Sequence, residues 1–137
     1  VRVDFYKALK RFAGDPPALL CAVAAKCLDG GDRLAWLVDD AASAAEVDER
    51  LWQLPPDSFL PHHIAGAADD ADCPLLIVIG GTPSDRPILI NQRRKPVDIM
   101  VERVIELIPP DPAGTVAARE RWRDYARRGI TPTLVEV

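Results

Sequence analysis

The densest chemistry in this sequence lies near its end, where Arg119, Arg121, Arg123, Arg127 and Arg128 fall within ten residues whose only acids are Glu120 and Asp124. At about 100° per residue, Thr115, Arg119, Trp122, Arg123 and Ala126 share one face of a helix, which sets one indole between two guanidinium groups. Spacing leaves two readings open. In one, Trp122 belongs to the core and the arginines are solvated. In the other, the face recognises an acidic peptide with an apolar anchor, because guanidinium forks match carboxylates and an aromatic wall shapes a pocket beside them.

A second cluster is LWQLPPDSFLPHH, from Leu51 to His63. Tryptophan, prolines and phenylalanine crowd a segment that leaves a helix and enters a strand, where such side chains either plug one end of the core or anchor a partner. His62 and His63 are adjacent, so in an extended strand they point to opposite faces and do not readily share a metal ion. Cys21, Cys27 and Cys73 form neither a CxxC pair nor an even set and read as reduced core residues.

The motifs that would make a nucleotide-using enzyme are missing from the sequence. The loop after the first strand, KRFAGDPPALL, has neither GxxxxGK[ST] nor GxGxxG, so no glycine-rich cradle approaches a phosphate there. Gly30-Gly31 and Gly80-Gly81 fall at element ends, and Asp39-Asp40 reads as a loop and cap pair rather than a ribose-binding acid. No nucleophile elbow, HExxH or spaced pair of catalytic carboxylates is present. No catalytic residue, cofactor or metal is therefore expected.

These side chains need a scaffold, and short β-type runs alternate with helical stretches in the manner of an α/β domain. Strands are predicted over Val3–Leu9, Arg33–Asp40, Phe59–Ile64, Leu75–Ile79, Pro87–Asn91 and Val101–Ile108. The second, apolar almost throughout, is predicted to be central. One helix is predicted from Pro16 to Leu28, capped by Asp15 and ended by Gly30 and Gly31; a second is opened by Asp40 or Ser43 and stopped by Pro55 and Pro56. A last helix runs from Pro112 to Arg128, led by Asp111 and ended by Gly129, and the tail TPTLVEV stays unassigned. The expected fold is a single domain over 1–137, with an open, mostly parallel sheet flanked by helices, nucleotide-binding-like but without a phosphate loop.

Composition narrows the function further. With 48% hydrophobic and 28% charged residues the chain folds rather than remaining disordered, and its longest apolar run, Leu75 to Gly80, is far short of a membrane span. The N-terminal VRVDFYKALK lacks the order of a signal peptide, which predicts a cytoplasmic protein. A net charge of −4 argues against a protein whose main task is to grip nucleic acid phosphates, so little direct nucleic acid binding is expected.

Five segments, in order across nearly the whole chain, resemble the chi-subunit family of bacterial DNA polymerase III holoenzymes: FYKAL, LWQLPPDSFLPHHIAG (family pattern LWxxPxxSFxPH), ILINQ, ELIPPD and AARERWRDYARRGI. The resemblance implies a non-catalytic adaptor that pairs with the psi subunit, itself joined to the clamp loader. It also implies binding of the acidic C-terminal tail of single-stranded DNA-binding protein, which ends in Pro-Phe. Carried over by position, the tail site falls on Arg119, Trp122 and Arg123, with Ile108 at the end of the preceding strand. This sequence has Trp where Tyr is common and Arg where Lys is common, and Thr115 stands where a further basic residue occurs. The psi-facing surface maps to Trp52 and Phe59, supported by Pro55, Pro61 and His62. The alternative reading, from a different class, is a small nucleotide-binding enzyme on the same sheet.

Overall fold

The computed structural model describes residues 1–53 and 60–137. In chain order the elements are β1 (Arg2–Lys7), α1 (Pro16–Asp29), β2 (Leu34–Val38), α2 (Ala41–Trp52), β3 (His62–Ile64), β4 (Leu75–Ile79), β5 (Ile88–Asn91), β6 (Arg103–Leu107), α3 (Pro112–Arg127) and β7 (Thr133–Glu136), with a 3₁₀ turn over Asp70–Asp72. Among the described residues the strands form one sheet in the order β3-β4-β2-β5-β6-β1-β7, and every pairing is parallel.

A parallel sheet must be covered on both faces, and the strand sequences show why this one is. All five residues of β2 and all four of β5 are buried. Leu34, Trp36 and Val38 pack with Leu20, Cys21, Ala24, Val47 and Leu51 of α1 and α2. Ala35 and Leu37 point the other way, into a cluster that holds Val3, Phe5, Ala118 and Tyr125. The period of two along each strand thus sends alternate residues to a face covered by α1 and α2 and a face covered by α3. The three cysteines are free and buried.

The helix boundaries follow from their caps. Asp40 accepts from Ser43 N–H at 2.8 Å, and Asp111 accepts from Gly114 N–H at 2.8 Å. Asp15 sits at the start of α1 but does not cap it. Pro16 and Pro17 leave no N–H at the first two helical positions, and the Asp15 carboxylate instead accepts from Arg50 of α2. Gly129, at φ +85°, is the left-handed residue that ends α3.

Three expectations change. The strand predicted from Phe59 starts at His62, Phe59 itself lying outside the described residues. The first strand stops at Lys7, because Leu9 and Lys10 turn their N–H groups to Val137 O. The unassigned tail becomes β7, an edge strand that pairs with β1 in the register Phe5 to Leu134 and Tyr6 to Val135.

Candidate functional site

Helix α3 is seated by a buried polar network. Arg121 donates through Nε to Glu106 Oε1 at 2.9 Å, and further to Leu107 O at 3.3 Å. Glu106 Oε2 accepts from Asn91 Nδ2 at 2.8 Å and from Tyr125 Oη at 2.7 Å, while the same tyrosine oxygen accepts from Val97 N–H at 2.9 Å. Burial pushes the Glu106 carboxyl upward against the pull of Arg121, and burial with the neighbouring Glu106 charge pushes the Tyr125 hydroxyl upward as well.

This network divides the five arginines. Arg121 is buried and paired, not part of an exposed basic end, because its position on the helix turns it toward the sheet. Arg127 and Arg128 pair with Asp124, and Arg128 also donates to Val97 O at 2.6 Å. Among the described residues Arg119 and Arg123 have no ion-pair partner and stand exposed.

Beside them lies a groove of about 320 Å³ between α3 and the β1–β7 edge of the sheet. Phe5, Ile108, Ala118 and Leu134 make its apolar floor, Trp122 one wall, and Lys7, Arg119 and Arg123 its cationic rim. Trp122 is half-buried, its ring centroid 5.0 Å from that of Phe5 at an interplanar angle of 47°. It is therefore packed on the core and open to the groove at once. Thr115 Oγ1 donates back to the chain, within 2.9 Å of both Pro109 O and Asp111 O, so it adds nothing to the rim's charge. Ile108, Arg119, Trp122 and Arg123 are thus brought together. Phe5, Lys7 and Leu134 were not singled out from the sequence. The alternation in FYKAL puts Phe5 and Lys7 on one face of β1, but Leu134 depends on β7.

The second cluster is only partly described. Trp52, the last residue of α2, is 57% exposed, with its ring centroid 4.7 Å from that of His62. His62 is buried; its Nδ1 lies 2.6 Å from Leu60 O, and its Nε2 lies 3.2 Å from Asp48 Oδ1 without the alignment of a hydrogen bond. Pro61 is exposed, while Pro55 and Phe59 lie outside the described residues. His63 points the other way and pairs with Asp70 at 2.8 Å. Asp70 also accepts from Gly66 and Ala67 N–H groups, and these bonds, with His63, hold its carboxyl below the usual range. His63, Asp69 and Asp70 could together approach a cation, but both oxygens of Asp70 already hold this loop.

At the carboxyl ends of β2, β5 and β6, where parallel α/β sheets commonly bind nucleotides, lies an open cleft of about 520 Å³ whose polar groups are largely engaged within the chain. Of the two helices that open onto it, α1 carries Pro16 and Pro17 in place of N–H donors and α3 begins with Pro112 and is capped by Asp111, while Pro109 and Pro110 line the other side. Arg93 donates to Val38 O at 3.0 Å and Val78 O at 3.2 Å, and Asp39 accepts from Arg94 N–H. No helix among the described residues is long and apolar enough to cross a membrane.

Comparison with known proteins bears on this geometry. The family described as DNA polymerase III chi subunit, HolC, matches residues 1–133. The DNA polymerase III subunit chi of Pseudomonas aeruginosa is 34% identical over 134 residues, covering 93% of this chain and 91% of that protein. The proteins of the same name from Haemophilus influenzae and Escherichia coli are each 31% identical, over 115 and 116 residues, covering 81% and 82% of this chain and 80% and 79% of theirs. Among solved structures, the crystal structure of T4 UvsW superposes with a TM-score of 0.62 at 9% identity, covering 99% of this chain and 41% of that one. At that identity the likeness concerns the fold alone.

Proposed function

Because the chain belongs to the DNA polymerase III chi subunit family, we propose that it works as a non-catalytic adaptor that couples the clamp-loader assembly to single-stranded DNA coated by its binding protein. The groove between α3 and the β1–β7 edge takes the acidic tail of that binding protein, and the surface around Trp52, Pro55, Phe59, Pro61 and His62 takes the psi subunit.

The observation that carries this reading is the pairing of an apolar floor with a rim of cations that have no ion-pair partner among the described residues, on a protein of net charge −4. A peptide that ends in Phe presents an α-carboxylate next to its ring. The ring packs against Trp122, Ile108 and Leu134, and the carboxylate pairs with Arg119 one helical turn before the indole. Apolar surroundings exclude water and strengthen that pair. Arg123, at i+4 from Arg119, meets acids further upstream. Nucleic acid phosphates are a poor match to one such isolated rim, and the carboxyl edge of the sheet, where prolines open α1 and the Asp111 carboxylate caps α3, is a poor match to nucleotide phosphates.

The test is a pair of calorimetric titrations. An acidic peptide ending in Pro-Phe is expected to bind and to raise Tm by mass action, and ATP is expected to do neither. Binding of ATP with no response to the peptide would reverse the assignment in favour of a nucleotide-binding protein.

A further inference from the structure

The strand that walls the α3 groove has a second face, and that face lines a different groove. Along β1 and β7, Phe5 and Leu134 point toward α3, whereas Tyr6 and Val135, their neighbours in register, point toward α1. On the α1 side lies an open groove of about 640 Å³ lined by Arg2, Arg11, Lys26 and Arg103, with Asp32 as its lining acid. Arg2 and Arg103 both donate to Oδ2 of Asp4, at 2.8 and 2.9 Å, and Asp4 is 1% exposed. One buried carboxylate therefore answers two guanidinium groups. Lys26 has no ion-pair partner among the described residues, and Arg11 lies 5.4 Å over the ring of Phe12. Even after Asp4 and Asp32 are counted, cations outnumber acids here on an acidic protein.

The two grooves lie on opposite faces of the β1–β7 edge, and β7 is the last strand of the sheet, its outer edge unpaired among the described residues. A chain passing around that edge covers roughly 10 Å, the work of about three or four extended residues. We propose that the acidic stretch upstream of the Pro-Phe end crosses the open edge of β7 and seats its carboxylates in the groove of Arg11 and Lys26. This rests on the assignment of the tail's end to the α3 groove and extends it from a terminal pocket to a path over both faces of the β1–β7 edge. Acidic peptide fits this groove better than single-stranded nucleic acid, which needs free aromatic faces for its bases. Phe12 is already overlaid by Arg11, and the Tyr6 hydroxyl already accepts from Arg103 at 2.7 Å.

The experiment compares two synthetic peptides ending in Pro-Phe, one of about four residues that reaches only the α3 groove and one of about twelve residues with several aspartates upstream. Both are titrated into the wild type and into the double variant Arg11→Ala, Lys26→Ala, whose substituted side chains are exposed, with unchanged Tm as the check on folding. The long peptide is expected to bind the double variant about 5-fold or more weakly and with a flatter salt dependence, the yield of two partly solvated charges, while the short peptide binds both proteins alike. Equal affinity of the long peptide for both proteins overturns the proposal. A short peptide that fails to bind the wild type overturns the α3-groove assignment instead, and the response of the long peptide to Arg11 and Lys26 still decides the second groove. Oligothymidylate that binds through Arg11 and Lys26 while the long peptide ignores them would give this groove to nucleic acid and sink the proposal.

Discussion

Arg121 on α3 donates its Nε to Oε1 of Glu106 on β6 across 2.9 Å, and both side chains are shut off from water. Arg119 and Arg123 are each two residues from Arg121, about 200° around the helix, so the contact that turns Arg121 inward turns the other two toward solvent. The buried pair sets which arginines reach the groove. Arg121→Ala leaves the Glu106 carboxylate without a cation and is expected to cost about 3–5 kcal/mol of stability at neutral pH, measured by urea unfolding. The loss is expected to shrink in acid, where a proton replaces the guanidinium. A loss under about 1 kcal/mol at neutral pH would mean that the pair does not hold α3.

Stability against pH follows from the same residue. Burial raises the folded-state pKa of Glu106 above its unfolded value of about 4.3. Between the two values the native state keeps a proton that the unfolded chain has released, so this contribution is complete below about 4.3 and is lost as pH rises through the folded pKa. Asp40 and Asp70, whose carboxyls are lowered by hydrogen bonds, act in the opposite sense and only at more acid pH. Urea midpoints from about pH 4.5 to 8 are therefore expected to fall in the wild type and to stay flatter in Glu106→Gln. Parallel curves for the two proteins would remove Glu106 as the source.

The sequence discloses some of this arrangement and hides the rest for definite reasons. Leu75–Ile79 and the start of α1 at Pro16 are legible because an apolar run or a helical period is bounded by prolines and glycines. The face that joins Arg119, Trp122 and Arg123 is legible from helical spacing. The burial of Arg121 is not, since its partner is a strand residue 15 positions earlier whose side chain direction depends on the whole sheet. Strand β7 is hidden for a stronger reason. Its four residues carry little apolar periodicity, none is fully buried, and its partner β1 is at the other end of the chain. With β7 unassigned, neither Leu134 nor the groove on its opposite face can be inferred.

Trp52 offers a test of the other surface. Its indole closes over the buried His62 ring at 4.7 Å yet remains more than half exposed, the posture of an anchor rather than a core residue. Trp52→Ala is expected to weaken psi binding by about 2 kcal/mol or more and to lower stability by less. Titration with psi is run beside thermal unfolding. A stability loss of about 3–5 kcal/mol with psi affinity intact would reassign Trp52 to packing.

The α3 groove gives the last prediction. Arg119 precedes Trp122 by three residues, within one turn, so its guanidinium reaches an α-carboxylate whose ring lies against Trp122, itself backed by the buried Phe5. Removing it leaves that carboxylate uncompensated beside an apolar floor, and Arg119→Ala is expected to cost about 2 kcal/mol or more of tail-peptide affinity. Arg123 stands on the rim, where water screens it, so Arg123→Ala is expected to cost about 1 kcal/mol or less and chiefly to flatten the salt dependence. Among the described residues neither has an ion pair to lose, so both variants are expected to keep the parent Tm, and both to keep psi affinity because the two surfaces lie on different elements. Calorimetric titrations at low and high salt separate these effects: tail affinity unchanged in Arg119→Ala would overturn the assignment of this groove even with the family membership of the chain intact.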